Sequence, residues 1–307
     1  MFASRLSESI RNTNSPIAVG LDPDINKFPK SIRPDPSDTQ ERISEAILYF
    51  NKCILDAIYG LSPAVKLQTA FYEQYGSSGI RALEQTSVYA RSKGFLVILD
   101  AKRGDIPNSA SAYARAYLSL DTNPHAFPCD ALTINPFLGR DGIECFIKAA
   151  VDNNRGAFLL VRTSNPGAAD LQDLILKDTG RKVWEEVATW ASSWSERTRG
   201  NERYSPVAVV AGLTYPREAR ELRRILPHSY LLLPGVGVQG GKLTDALPCF
   251  DENGLGALLV AARSIIYAFS REPYCCTFLE ERFDDAARKS LEEALSQLNR
   301  AGYRITR

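Results

Sequence analysis

The 307-residue chain carries 37 basic against 36 acidic residues, a net charge of +1, so no global field points to nucleic acid or a membrane surface. A hydrophobic fraction of 44% with 24% charged residues is that of a chain that buries a real core. The cysteines, Cys53, Cys129, Cys145, Cys249, Cys275 and Cys276, form no CxxC pair, and His125 and His228 lie away from any cysteine cluster, which argues against a zinc site and for reduced thiols in a cytoplasmic protein.

In chain order, the opening MFASRLSESIRNTNSP interrupts its apolar residues with Arg5, Glu8 and Arg11, so it lacks the apolar core of a secretory leader. No later apolar run is long enough to span a bilayer. Short apolar runs then alternate with longer amphipathic ones. The strand-like runs are IAVGLD (17–22), AVKLQ (64–68), FLVILDAK (95–102), DALTINP (130–136), GAFLLVRTS (156–164), PVAVVAG (206–212), YLLLPGVG (230–237) and GALLVAAR (256–263). They are rich in Val, Leu and Ile and do not alternate apolar with polar, as strands covered on both faces of a parallel sheet read. Helical periodicity runs through 41–58, 79–93, 108–120, 181–198 and 216–226. The proline-bearing stretch 25–40 reads as a long loop after the first strand. A terminal helix is expected within about 276–302, its clearest part being DDAARKSLEEALSQLNRAG (284–302), packed on the outside.

Eight strands alternating with helices, with no linker signal, predict a single α/β domain over 1–307, a (β/α)8 TIM barrel. A Rossmann-type open sheet loses ground because Gly20-Leu21-Asp22-Pro23, not GxGxxG, follows the first strand. The longer stretch 168–205 has no assigned role, and its Trp184, Trp190 and Trp194 read as helix-packing residues.

Asp22, Lys66, Asp100, Lys102, Ser164, Gln239 and Arg263 all fall toward the carboxyl ends of these strands, the face where parallel barrels place their sites. In LDAKRGDI (99–106), alternation along a strand points Asp100 and Lys102 into the barrel mouth, and Asp105 follows a glycine turn. Two carboxylates beside an ammonium favour its charged form. Taken alone, the same segment also suits an ion-pair network closing the strand top. In LLLPGVGVQGG (231–241), glycines let backbone N–H groups approach an anion; Gln239 and Gly240 lie there, and Arg263 after the eighth strand adds a charge-assisted fork. RTSNPG (162–167) offers Ser164 and Asn165 to a base edge, though a plain Asn-Pro-Gly turn fits as well; TINPFLG (133–139) either lines a pocket or turns. Lys66 also suits a snorkelling surface lysine, and Asp22 a loop cap.

In this order, GLDPD, VKLQ, LDAKRGDI, TINPFLG, RTSNPG, PGVGVQGG and the arginine of VAARSI resemble the orotidine 5′-phosphate decarboxylase family over about residues 17–270, its longer-chain bacterial-type branch in particular. The resemblance implies conversion of orotidine monophosphate to uridine monophosphate in pyrimidine biosynthesis, with no cofactor and no metal. It implies that Asp22 and Lys66 hold ribose hydroxyls, and that Lys66, Asp100, Lys102 and Asp105 surround the scissile carboxylate with Lys102 as proton donor. It further implies a homodimer with shared sites, in which Asp105, Ile106 and Ser109 serve the neighbouring subunit. Ser164 would read the pyrimidine, and Gln239, Gly240 and Arg263 the phosphate. Magnesium-dependent sugar-phosphate enzymes that share the barrel and the DxKxxD strand remain the nearest rivals, with a phosphate-binding pseudoenzyme behind them.

Overall fold

A computed structural model describes residues 1–35, 37–235 and 241–306. Its eight strands are β1 Ile17–Leu21, β2 Ala64–Gln68, β3 Leu96–Arg103, β4 Ala131–Ile134, β5 Gly156–Arg162, β6 Val207–Ala211, β7 Leu231–Leu233 and β8 Ala257–Ala261. All neighbours pair in parallel and β8 returns to β1, closing the expected (β/α)8 TIM barrel. The strands are buried nearly throughout, because the interior is filled by side chains and the exterior is covered by helices.

The expected helices appear as Gln40–Ile58, Gly76–Ser92, Pro107–Leu118, Val183–Thr198 and Pro216–Ile225. Thr39 caps the first, its Oγ1 accepting the Arg42 N–H at 3.3 Å. Pro107 and Pro216 stand at helix starts, where a missing N–H costs nothing. Trp184 and Trp194 pack inward from the fourth of these helices. The terminal helix is shorter than expected, Phe283–Arg300, since Phe278 is extended and ends a separate turn at Tyr274–Thr277. Asp284 and Asp285 then sit in its first turn, where carboxylates favour the helix amino end. No helix among the described residues is long and apolar enough to cross a membrane.

Among the described residues, two helices longer than ten residues lie outside those read from the sequence. Arg140–Asp152 joins β4 to β5. Phe2–Thr13 closes the amino-terminal end of the barrel, burying Phe2, Ala3, Leu6 and Ile10, with Phe2 edge-on to Phe158 at 5.9 Å. Gly156 makes room for it: a Cβ there would meet the Phe2 ring at 2.4 Å. Arg5 of this helix joins Arg91 and Arg155 on Asp130 Oδ1, at 2.8, 2.8 and 3.3 Å, while Asp130 Oδ2 accepts the Val97 N–H. That end of the barrel is therefore covered, and the opposite end carries the open cavity.

Candidate active site

At the carboxyl ends of the strands lies a cavity of about 510 Å³, a size typical of small-molecule sites. Leu160, Val210, Leu232 and Val260 give it an apolar side, and Asp22, Lys66, Asp100 and Lys102 a charged one.

Asp100 is the hub of the charged side. Its Oδ2 accepts from Lys66 Nζ at 2.9 Å and Gln68 Nε2 at 3.1 Å. Its Oδ1 accepts from Lys102 Nζ at 2.7 Å and Thr133 Oγ1 at 2.9 Å. These four donors occupy the whole accepting capacity of a carboxylate. Burial alone would raise the Asp100 pKa; the Lys66 and Lys102 ammonium groups more than reverse this and hold it well below the usual carboxylate range. Lys66, only 5% exposed, stands at the middle of β2 rather than at its end, so it is no surface lysine. Burial would lower its pKa, but Asp100 and then Asp22 outweigh that and raise it.

Simple alternation along β3 does not by itself place Lys102. The β3–β4 register shifts between Leu99 and Arg103, and Lys102 adopts φ 49°, a conformation rare outside glycine. Its N–H donates to Thr133 Oγ1 at 2.9 Å, so one hydroxyl fixes both the backbone of Lys102 and the carboxylate of Asp100. Gly104 then lets the chain leave the strand, since a Cβ would lie 2.6 Å from the Asn135 carbonyl oxygen.

Asp22 follows β1. Its Oδ1 lies 3.9 Å from Lys66 Nζ and has no hydrogen-bond partner among the described residues. Burial raises its pKa, an effect that the attraction of Lys66 only partly offsets. Tyr267 Oη pins its backbone carbonyl at 3.0 Å. On the opposite wall, Thr163, Ser164 and Asn165 line the cavity beyond the end of β5. Ser164 approaches β6 closely, because a Cβ on Gly212 would stand 2.7 Å from its Cα. Arg263 lines the mouth just after β8. Gln239 and Gly240 lie outside the described residues; beside them, the Gly241 N–H donates to the Gly235 carbonyl at 3.0 Å.

Asp105, Ile106 and Ser109 are not brought to this cavity, which none of them lines within its own barrel. Asp105 Oδ1 accepts the Ile106 N–H at 2.8 Å, and Ile106 is 61% exposed. Asn135 makes a turn, its Oδ1 accepting the Phe137 N–H at 3.0 Å, and does not line the cavity either.

A family model described as Orotidine 5′-phosphate decarboxylase / HUMPS family matches residues 35–272. The chain is 39% identical to the orotidine 5′-phosphate decarboxylase of Rhodopirellula baltica, over 97% of this chain and 98% of that one. The chain belongs to the orotidine 5′-phosphate decarboxylase family. With the orotidine 5′-phosphate decarboxylase of Haloarcula marismortui the identity is 42% over 87% of each chain. The solved structure of Leishmania donovani OMP decarboxylase superposes with a TM-score of 0.72 at 26% identity, covering 98% of both chains. Leishmania donovani UMP synthase gives 0.73 at 28% identity, covering 97% of this chain and 55% of that longer one.

Of the motifs quoted from the sequence, GLDPD, VKLQ, LDAKRGDI, RTSNPG and VAARSI bring residues to the cavity and TINPFLG does not, while Gln68, Thr133 and Tyr267 have no role in the sequence reading. Gln68 stands two residues after Lys66 on the same strand face, and Thr133 is a polar residue at the buried centre of β4. A polar side chain in an otherwise apolar parallel strand was the available signal for both.

Proposed function

We propose that this chain decarboxylates orotidine 5′-monophosphate to uridine 5′-monophosphate through the Asp100–Lys102 pair, without metal or organic cofactor. The observation that carries the reading is the fully paired Asp100, which stays ionised beside an apolar cavity. A substrate carboxylate seated near it meets a fixed negative charge, and leaving as carbon dioxide relieves that repulsion. The bond from C6 to the carboxylate breaks with its electron pair remaining on C6. Lys102 Nζ, 42% exposed at the side-chain level and facing the cavity, stabilises that pair and then donates the proton that completes the product.

The donor set favours direct electrostatics over a cofactor. A Schiff base needs a neutral amine, whereas Lys102 Nζ lies 2.7 Å from a carboxylate. A divalent ion needs free carboxylate lone pairs, and those of Asp100 are all taken. Asp22 and Lys66 suit ribose hydroxyls: the orphaned Asp22 Oδ1 lacks a donor that a hydroxyl supplies. Ser164 faces the pyrimidine edge, and Arg263 with Gln239 and Gly240 takes the phosphate.

The working unit in this reading is a homodimer in which Asp105, Ile106 and Ser109 complete the partner's site. Support comes from Ile106, Phe137 and Leu138, apolar side chains 61%, 73% and 52% exposed on the loops that follow β3 and β4. Gly142 also lets the helix Arg140–Asp152 pack hard against the Asp105 carbonyl, holding that residue on the outer rim. The test is conversion of orotidine monophosphate in EDTA, followed by ultraviolet absorbance, with Lys102→Ala alongside. Turnover by wild type and none by the variant supports the reading. Turnover that requires added magnesium, or a fully active variant, overturns it.

A further inference from the structure

Between β5 and β6 the chain builds, ahead of the helix Val183–Thr198, an extra lobe at 166–182. Turns at Pro166–Ala168 and Ala169–Gln172 lead to an antiparallel bridge between Ile175 and Lys182. This lobe is tied to the barrel at two adjacent points. Gln172 Oε1 accepts the Thr163 N–H at 3.0 Å, and Gln172 Nε2 donates to Thr163 Oγ1 at 2.8 Å. Thr163 Oγ1 in turn donates to Asn165 Oδ1 at 2.7 Å. One residue earlier, Arg162 is fully buried at the end of β5, its Nη2 donating to Asp173 Oδ2 at 2.9 Å. The Arg162 guanidinium also lies 3.9 Å from the Tyr215 ring centroid. Lys182 holds the other oxygen of Asp173 at 3.0 Å.

The physical need for these ties follows from the sheet. The β5–β6 ladder ends where Arg162 faces Ala211, so Thr163 has no strand to receive its N–H, and this half-buried amide finds its partner elsewhere. Gln172 supplies that acceptor. Among the described residues Arg162 Nε and Nη1 have no hydrogen-bond partner, and Asp173 is the carboxylate that offsets the buried charge. From the other side, Thr214 Oγ1 donates to the Ser164 carbonyl at 3.1 Å. The contacts made by Gln172, Arg162 and Thr214 end on or beside Thr163, Ser164 and Asn165, which form one wall of the cavity.

We propose that the 166–182 lobe sets the position of the base-recognising wall, with Gln172 as its positioning residue. The proposal rests on the reading of Ser164 as the residue facing the pyrimidine edge. Gln172 itself does not line the cavity; it acts by continuing the hydrogen-bond ladder one residue past the sheet.

The experiment measures binding of UMP and of ribose 5-phosphate to wild type, Gln172→Ala and Gln172→Glu by calorimetry, with thermal unfolding of each protein. UMP carries the base; ribose 5-phosphate presents the sugar and phosphate alone. Gln172→Ala is expected to bind UMP roughly tenfold more weakly and ribose 5-phosphate as wild type does. Gln172→Glu keeps the acceptor for the Thr163 N–H but cannot donate to Thr163 Oγ1, so it falls between the two. If Gln172→Ala does not fold, the same ratio in Gln172→Glu decides. Equal weakening for both ligands, or none for either, overturns the proposal. Should wild type itself bind UMP no tighter than ribose 5-phosphate, the base is not read at this wall, and it is the underlying reading of Ser164 that fails.

Discussion

Replacing Thr133 with valine keeps the shape of a fully buried side chain while deleting one hydroxyl that serves two partners. The bond to the Asp100 carboxylate, as a charge-assisted one, contributes about 1.5–3 kcal/mol. Leaving the Lys102 N–H unpaired costs about 1–3 kcal/mol more. Together these predict a destabilisation of roughly 2.5–6 kcal/mol, a large share of the stability of an ordinary domain. Catalysis should suffer as well. Lys102 is held at φ 49° by that N–H contact, and a reacting group displaced by an ångström loses on the order of a hundredfold in rate. Urea denaturation followed by tryptophan fluorescence, with decarboxylation rates measured on the same samples, checks both parts. Thr133→Ser retains both hydrogen bonds and loses one methyl group, about 1 kcal/mol, so it should recover most of the stability and the rate. A Thr133→Val protein with the urea midpoint and turnover of wild type refutes the bridging role assigned to this hydroxyl.

Three further outcomes are expected. Asp22 has its pKa raised above the ordinary 3.8 by burial, so its ionisation opposes folding once pH climbs through that value. Asp22→Asn should therefore unfold at a higher temperature than wild type at pH 7, lose that advantage below about pH 3, and bind nucleotide less well; a lower unfolding temperature at pH 7 contradicts this. Asp100 has the opposite sign: its depressed pKa contributes stability that is whole above 3.8 and is lost as pH falls toward the lower folded value. Asp100→Asn should accordingly show a flatter dependence of its urea midpoint on pH below 4, and an acid slope equal to that of wild type counts against the assignment. Finally, mixing Lys102→Ala with Asp105→Ala under exchange should restore roughly a quarter of wild-type activity, because a hybrid dimer holds one intact site. Failure to recover any activity in mixtures shown to contain hybrids removes the shared-site proposal.

Much of this architecture was legible before any fold was built. A strand covered on both faces reads as an unbroken apolar run, so seven of the eight strands lie within the apolar runs of the sequence and β3 passes the end of its run by one residue, to Arg103. The Asp100-x-Lys102 spacing likewise announced a charged pair at a strand end, and the motifs around it carried the family. The helix Phe2–Thr13 is legible only as a helical spacing of Phe2, Leu6 and Ile10, because Arg5, Glu8 and Arg11 break up its apolar residues along the sequence.

What only the tertiary structure decided is how residues from different strands meet. Lys66, Gln68, Lys102 and Thr133 come from β2, β3 and β4, and they converge on one carboxylate only when the barrel closes. The register shift that turns Lys102 back onto Asp100 depends on pairing with β4, which no local pattern in β3 encodes. Gln172, nine residues from Thr163 in a stretch with no readable motif, acquires its role by taking over where the sheet ladder ends. Local periodicity reports how much of a segment is buried. Which polar groups then satisfy one another is settled by closure, because each buried donor and acceptor must find its partner among whatever the fold brings near.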